Sequence, residues 1–203
     1  SEGTDKTEFF NYAGTHWKKL YDKRNEDNSE VSFEDDQLVD FKNKYGFRVD
    51  GSLEEISYEC ARRIGDIELF EDTISTLEEL KSMGIPIYLL SNVIFKKNVM
   101  KQLLNQFDLE KYFVNTYFSA DYRIRKPHMD LFKVVYDDIV KQDNTVAKEQ
   151  VFFVGDNFEA DALGAYNFGF TPVFINRKND LNKNLNKFIE IKELSEIVDI
   201  IKH

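Results

Sequence analysis

Residues 151–165 read Val-Phe-Phe-Val-Gly-Asp-Asn-Phe-Glu-Ala-Asp-Ala-Leu-Gly-Ala, and the reading of this stretch decides the fold. Val151 to Val154 is a short β-branched and aromatic run of the kind that forms a strand buried on both faces. Gly155 turns the chain, and the apolar spacing from Phe158 to Phe168, closed by Gly169, predicts a helix. Pro172 to Ile175 predicts another strand. Strand, turn, helix and strand in this order imply a parallel sheet carrying helices on its faces.

The alternation extends outward from about Glu68. Ile74, Leu77, Leu80 and Met83 form an amphipathic stripe that stops at Gly84, and Ile85 to Leu90 follows as a strand with Pro86 near its start. Val99, Leu103 and Phe107 restore helical spacing, and Tyr112 to Phe118 reads as a short strand. Lys126-Pro127 opens a helix through Phe132, Val135 and Ile139, with the proline in the first turn. Phe188 to Ile191 reads as an edge strand before a terminal helix, Leu194 to Ile201. The expected class is α/β, a three-layer Rossmann-like core over residues 68–203. Residues 5–67 differ: helical patterns at Trp17, Leu20 and Tyr21 and at Leu38, Phe41 and Tyr45 alternate with loops at Asn25–Ser29 and Tyr45–Gly51. They predict a small helical domain ahead of the core. Asn179 to Lys187 reads as an exposed polar loop.

Sheets of this type bind ligands beyond the carboxyl ends of their strands. Three predicted strands deliver polar residues there: Ser91 and Asn92, then Lys126, then Gly155, Asp156, Asn157 and Asp161. A hydroxyl and a backbone N–H suit a phosphate oxygen, and a lysine supplies a point charge for it. Two carboxylates around a glycine turn offer hard oxygen ligands for Mg²⁺. Taken singly, Ser91 and Asn92 would be an ordinary helix cap, Lys126 a surface charge and the two aspartates a turn and a solvated helix residue. Their order on successive strand ends makes one constellation. Arg123 and Arg125 read as solvent-facing, with anion binding as the alternative.

The strings Leu-Leu-Ser-Asn (residues 89–92), Arg-Lys-Pro (125–127) and Val-Gly-Asp-Asn-Phe-Glu-Ala-Asp-Ala-Leu-Gly-Ala (154–165) resemble motifs two, three and four of the haloacid dehalogenase superfamily. The resemblance spans about Leu69 to Ile201. It implies that Ser91, Asn92 and Lys126 hold a transferring phosphoryl group, that Asp156 binds Mg²⁺, and that Asp161 binds the ion or orients its waters. Ser91, Lys126 and Asp156 are thus the expected catalytic residues. It also implies that residues 5–67 form a cap selecting a small phosphorylated metabolite; phosphoglycolate, sugar phosphates and nucleoside monophosphates all stay open. The expected reaction is attack on phosphorus by an aspartate, then hydrolysis of the aspartyl-phosphate.

The family's first motif, Asp-x-Asp-Gly-Thr on an N-terminal strand, is missing from the sequence, although Ser1-Glu2-Gly3-Thr4 resembles its end. The implied strand lies in the sheet between those ending at Leu90 and Val154. Omitting it would strand ladder groups at roughly 1–3 kcal/mol each, so native residues are expected before Ser1. Val49-Asp50-Gly51 imitates the motif, but Arg48 stands in the nucleophile's place and the segment reads as a turn. Two other readings follow: a 2-haloacid dehalogenase, which needs no metal, or an inactive binding or regulatory relative.

Composition bounds the rest. With 203 residues, 42% hydrophobic and 32% charged, the chain can bury a sizeable core. A net charge of −10 argues against a nucleic-acid polymer as partner. No apolar run approaches the roughly 18–20 residues that span a bilayer, so no membrane association is expected. The single cysteine, Cys60, lies in an apolar helical phase and fits a core position in a cytoplasmic protein. His16, His128 and His203 lack metal-ligand spacing.

Overall fold

A computed structural model describes residues 6–46, 52–63, 67–178 and 188–202. The chain divides into two compact units. One comprises Ser1–Ile67, Leu90–Glu110 and Thr116–Arg125; the other comprises Glu68–Leu89, Lys111–Asn115 and Lys126–His203.

The second unit is built on three parallel strands, β3 (Phe152–Gly155), β4 (Thr171–Ile175) and β5 (Ile189–Ile191), in that order. Register runs from Phe152 opposite Thr171 to Gly155 opposite Phe174, then from Val173 opposite Ile189 to Ile175 opposite Ile191. Side chains alternate between the two faces. On one face Val154, Val173, Ile189 and Ile191 pack with Leu80 of α4 (Thr73–Ser82) and with Ile197 and Val198 of α9 (Glu196–Lys202). On the other, Phe153 meets Phe132 at 5.1 Å and Phe170 at 6.3 Å between ring centroids. Phe132, fully buried, belongs to α7 (Met129–Gln142) and stacks on Phe168 of α8 (Gly164–Phe168). Each such ring contributes about 1.5–3 kcal/mol by leaving water. Helices on both sheet faces give the three-layer α/β, Rossmann-like core that the periodicity predicts.

The first unit holds α1 (Lys6–Asp27), a π-helical turn (Phe33–Leu38), α2 (Val39–Tyr45), α3 (Leu53–Ala61), α5 (Lys97–Gln106) and α6 (Ser119–Tyr122). Ser32 caps the π-helical turn, and Ser52 with Glu55 forms a capping box on α3. Ala61, Phe95, Val99 and Leu103 make its core, with Phe33, Tyr58, Cys60 and Met100 packed against them. Burial raises the Cys60 thiol pKa, the behaviour of a packing residue and not of a nucleophile.

The strands β1 (Tyr88–Ser91) and β2 (Asn115–Phe118) pair with each other. Among the described residues the five strands therefore form two separate sheets, and β3 is an edge strand with Phe152 37% exposed. The interior strand expected beside it is not among the described residues.

Several expected boundaries shift. Helix α1 continues through Asn25 to Asp27, so the first loop begins only at Asn28. Strand β2 starts at Asn115 because Glu110–Tyr112 coils into a 3₁₀ turn. Pro127 precedes the helix instead of entering its first turn: His128 is the cap, its Nδ1 accepting from the Asp130 N–H at 3.3 Å. The helix after β3 starts as a π-helical turn, Phe158–Leu163, before α8. Residues 1–5, with Ser1-Glu2-Gly3-Thr4, and residues 179–187 lie outside the described residues, as do Val49-Asp50-Gly51 and His203.

Candidate active site

Strand β3 delivers Gly155 and Asp156 to its carboxyl end, where the chain turns into the π-helical segment. Asn157 caps that segment: its Oδ1 accepts from the Ala160 N–H at 2.9 Å. The Asp161 N–H returns to the Asn157 carbonyl at 2.8 Å, and Asp161 Oδ2 accepts from the Asn157 N–H at 3.0 Å. This reciprocal pair folds Asp161 back over the turn. A Cβ added at Gly155 would lie 2.5 Å from Asp161 Cβ and Cγ. Glycine is required there because the Asp161 side chain occupies the space.

Lys126 meets the same carboxylate. Its Nζ lies 2.7 Å from Asp161 Oδ1, with the side chains 10% and 7% exposed. Oδ1 meets the ammonium in distance but not in hydrogen-bond direction, so the contact is a buried ion pair. The ammonium also lies 5.3 Å from the centroid of the Phe153 ring, a cation–π contact. Gly164 permits the close approach behind it: a Cβ there would lie 2.8 Å from Phe132 Cζ and 3.1 Å from Pro127 Cβ. Lys126 and Asp161, 35 positions apart in sequence, are thereby fixed as one charged element in the second unit.

Asp156 is exposed, as is Asn157. An exposed carboxylate beside a turn is suitable donor chemistry for Mg²⁺, which takes one or two carboxylates and keeps several waters. Asp161 has both oxygens engaged, so it suits an orienting role more than direct ligation. Among the described residues no group of three or more His, Cys, Asp or Glu could hold a metal. His16 faces Asp40 at 3.7 Å, and His128 caps α7.

Ser91 ends β1 in the first unit, and both it and Asn92 are half-buried. Arg123 and Arg125 also lie there. Arg123 is committed to Asp36 by a 2.7 Å ion pair, which together with the hydrogen bond raises its pKa. Arg125 is half-buried, not solvent-facing, and burial lowers its pKa. Sequence reasoning missed the buried carboxylate of Glu30, only 2% exposed, and the fully buried Ser119 that it accepts from. Neither carries a sequence signal, since a single Glu after an Asn-Ser loop looks solvated.

The family model described as haloacid dehalogenase-like hydrolase matches residues 6–175. No curated protein matches the sequence. Among solved structures, a HAD phosphatase from Thermococcus onnurineus is 25% identical with a TM-score of 0.61, over 81% of this chain and 70% of its own. The HAD-hydrolase YfnB from Bacillus subtilis, bound to magnesium, is 17% identical with a TM-score of 0.57, over 98% and 82%. L-2-haloacid dehalogenase from Xanthobacter autotrophicus is 18% identical with a TM-score of 0.58, over 93% and 81%. The last two likenesses concern the fold alone.

Proposed function

The chain belongs to the haloacid dehalogenase-like hydrolase family, and from that premise we propose that it is a phosphatase of a small phosphorylated metabolite. The observation that carries this reading is the buried Lys126 ammonium, held on the Asp161 carboxylate that folds over the turn carrying the exposed Asp156. A fixed cation and an exposed carboxylate at one turn suit a phosphoryl group, whose charge needs neutralising as it transfers. Lys126 binds the phosphoryl oxygens and Asp161 fixes its direction. By the family resemblance, Ser91 and Asn92 would contribute a hydroxyl and an N–H to phosphoryl binding. Asp156 would hold Mg²⁺, with Asp161 ordering the waters around it, and the ion would supply further charge neutralisation at the phosphoryl oxygens.

The covalent steps require a carboxylate that none of these residues provides. We propose that it is an aspartate, so that the intermediate is an aspartyl-phosphate. That carboxylate forms a bond to phosphorus as the ester P–O bond breaks and the leaving oxygen takes a proton. Water then attacks phosphorus, releasing inorganic phosphate and regenerating the carboxylate. The helical segment within residues 5–67 is the proposed cap, selecting the leaving group, and the cytoplasm is the proposed compartment.

The test is hydrolysis of p-nitrophenyl phosphate by the full-length protein, beside halide release from 2-chloropropionate. Lys126→Ala and Asp156→Ala should each remove at least about 100-fold of the phosphatase rate. Asp156→Ala should leave the thermal midpoint unchanged, because the residue is exposed. Halide release without phosphate release would establish the dehalogenase instead. Binding of phosphate without turnover of either substrate would favour the regulatory reading.

A further inference from the structure

The turn after β1 is held by a buried polar chain. Arg24 Nε lies 2.6 Å from Glu30 Oε1, and the Glu30 side chain is completely buried. The Ser119 hydroxyl lies 2.6 Å from Glu30 Oε2 and 3.0 Å from the Val93 carbonyl, while the Val93 N–H donates to Ser119 Oγ at 2.8 Å. A hydroxyl has one proton. The carboxylate is the nearer and stronger acceptor, so the proton goes to Glu30, and an Oγ lone pair is left facing the Val93 N–H. The orientation of Ser119 is thus set by Glu30, and Glu30 is set by Arg24. The same turn is clasped further along. Phe33 N–H donates to the Ile94 carbonyl at 2.8 Å, and Lys96 Nζ pairs with Asp35 at 2.7 Å.

A buried ion pair is a weak source of net stability, because apolar residues of similar volume commonly do as well. Its effect here is geometric: it fixes the backbone of Val93, one residue beyond Asn92 and two beyond Ser91. We propose that Glu30 and Ser119 are positioning residues for the phosphoryl-binding turn Ser91–Val93, acting through the Val93 N–H. The inference rests on the phosphatase reading of Ser91 and Asn92.

The experiment measures inorganic phosphate binding to the full-length protein by calorimetry, with hydrogen exchange at the Val93 amide followed by NMR. Ser119→Ala should weaken phosphate binding roughly tenfold, the scale of a small misplacement of a binding group, and should speed Val93 exchange. Glu30→Gln is the milder second variant and should move both readouts in the same direction by severalfold. Val99→Ala, a core truncation in the same unit at a residue 1% exposed, controls for general loosening. It should lower the melting temperature while leaving both readouts near wild type. Ser91→Ala separates the two ideas. If it weakens phosphate binding while Ser119→Ala and Glu30→Gln do not, the positioning role is overturned and the phosphatase reading stands. If Val99→Ala weakens binding as much as they do, the positioning role is overturned as well. If Ser91→Ala binds phosphate normally, the reading of Ser91 fails and the inference fails with it.

Discussion

The Asp161 carboxylate takes the place a side chain at residue 155 would need, and its two oxygens have different partners, the Lys126 ammonium and the Asn157 N–H. Removing one member of such a pair strands the other charge away from water. Asp161→Leu should therefore destabilise the protein by about 3–5 kcal/mol, and Lys126→Met by a similar amount. Replacing both, by Asp161→Leu with Lys126→Met, should recover most of that loss while leaving phosphatase activity absent. Urea unfolding of the four proteins closes the cycle. Additive losses in the double variant would mean that the ion pair is not the unit that matters. At this scale the sequence was informative about identity and silent about pairing. That Gly155, Asp156 and Asp161 share one turn after a strand can be read from the sequence. That Asp161 holds Lys126 cannot, because nothing local signals a contact across 35 positions. Glu30 was illegible for the same reason: its partners, Arg24 and Ser119, come together only when the chain folds.

Helix α4 shows how an element's end ties distant segments together. Asp72, at its N-terminus, accepts from Arg177 at 2.9 and 3.1 Å and from the Leu194 N–H at 2.5 Å. Burial pushes the Asp72 carboxyl pKa up, but the Arg177 hydrogen bond, the Leu194 N–H and the Arg177 charge outweigh it, and the net shift is downward. A carboxyl depressed in the folded state contributes stability that is present above its unfolded pKa of about 3.9 and is lost as pH falls through the folded value. Thermal midpoints followed by circular dichroism should thus hold down to about pH 4 and then fall. Asp72→Asn should lower the midpoint at neutral pH and flatten the part of the acid decline that Asp72 contributes. An unchanged acid profile in that variant would remove Asp72 from the account. The element boundaries show which signals survive folding. Gly84 and Gly169 stop their helices at φ 73° and 99°, as glycine's freedom allows. Pro127 misled the reading because a proline before a cap and a proline in a first turn look alike, and only the His128 bond to Asp130 separates them. The π-helical entry at Phe158 has the same apolar spacing as an α-helix, so periodicity cannot reveal it.

At the scale of the whole molecule, charge sets a condition on substrate entry. The chain carries a net charge of −10, while its proposed substrate is an anion and its proposed phosphate-binding lysine is buried. The wider field repels the substrate, and the attraction acts only at contact distance. At about 0.01 M salt the screening length is roughly 30 Å, so the whole acidic surface is felt; at about 0.15 M it is roughly 8 Å, and most of that repulsion is gone. The buried Lys126 is screened far less, because counter-ions do not reach it. Raising ionic strength over this range should therefore increase kcat/KM for a phosphomonoester severalfold, the reverse of the steering seen with basic clefts. The rise should appear in kcat/KM and not in kcat, since encounter and not chemistry is what the outer field slows. An uncharged competitive ligand provides the control: its affinity should not follow the salt. If kcat/KM falls as salt rises, an exposed positive surface guides the substrate, and the buried Lys126 is then not the cation that first meets it.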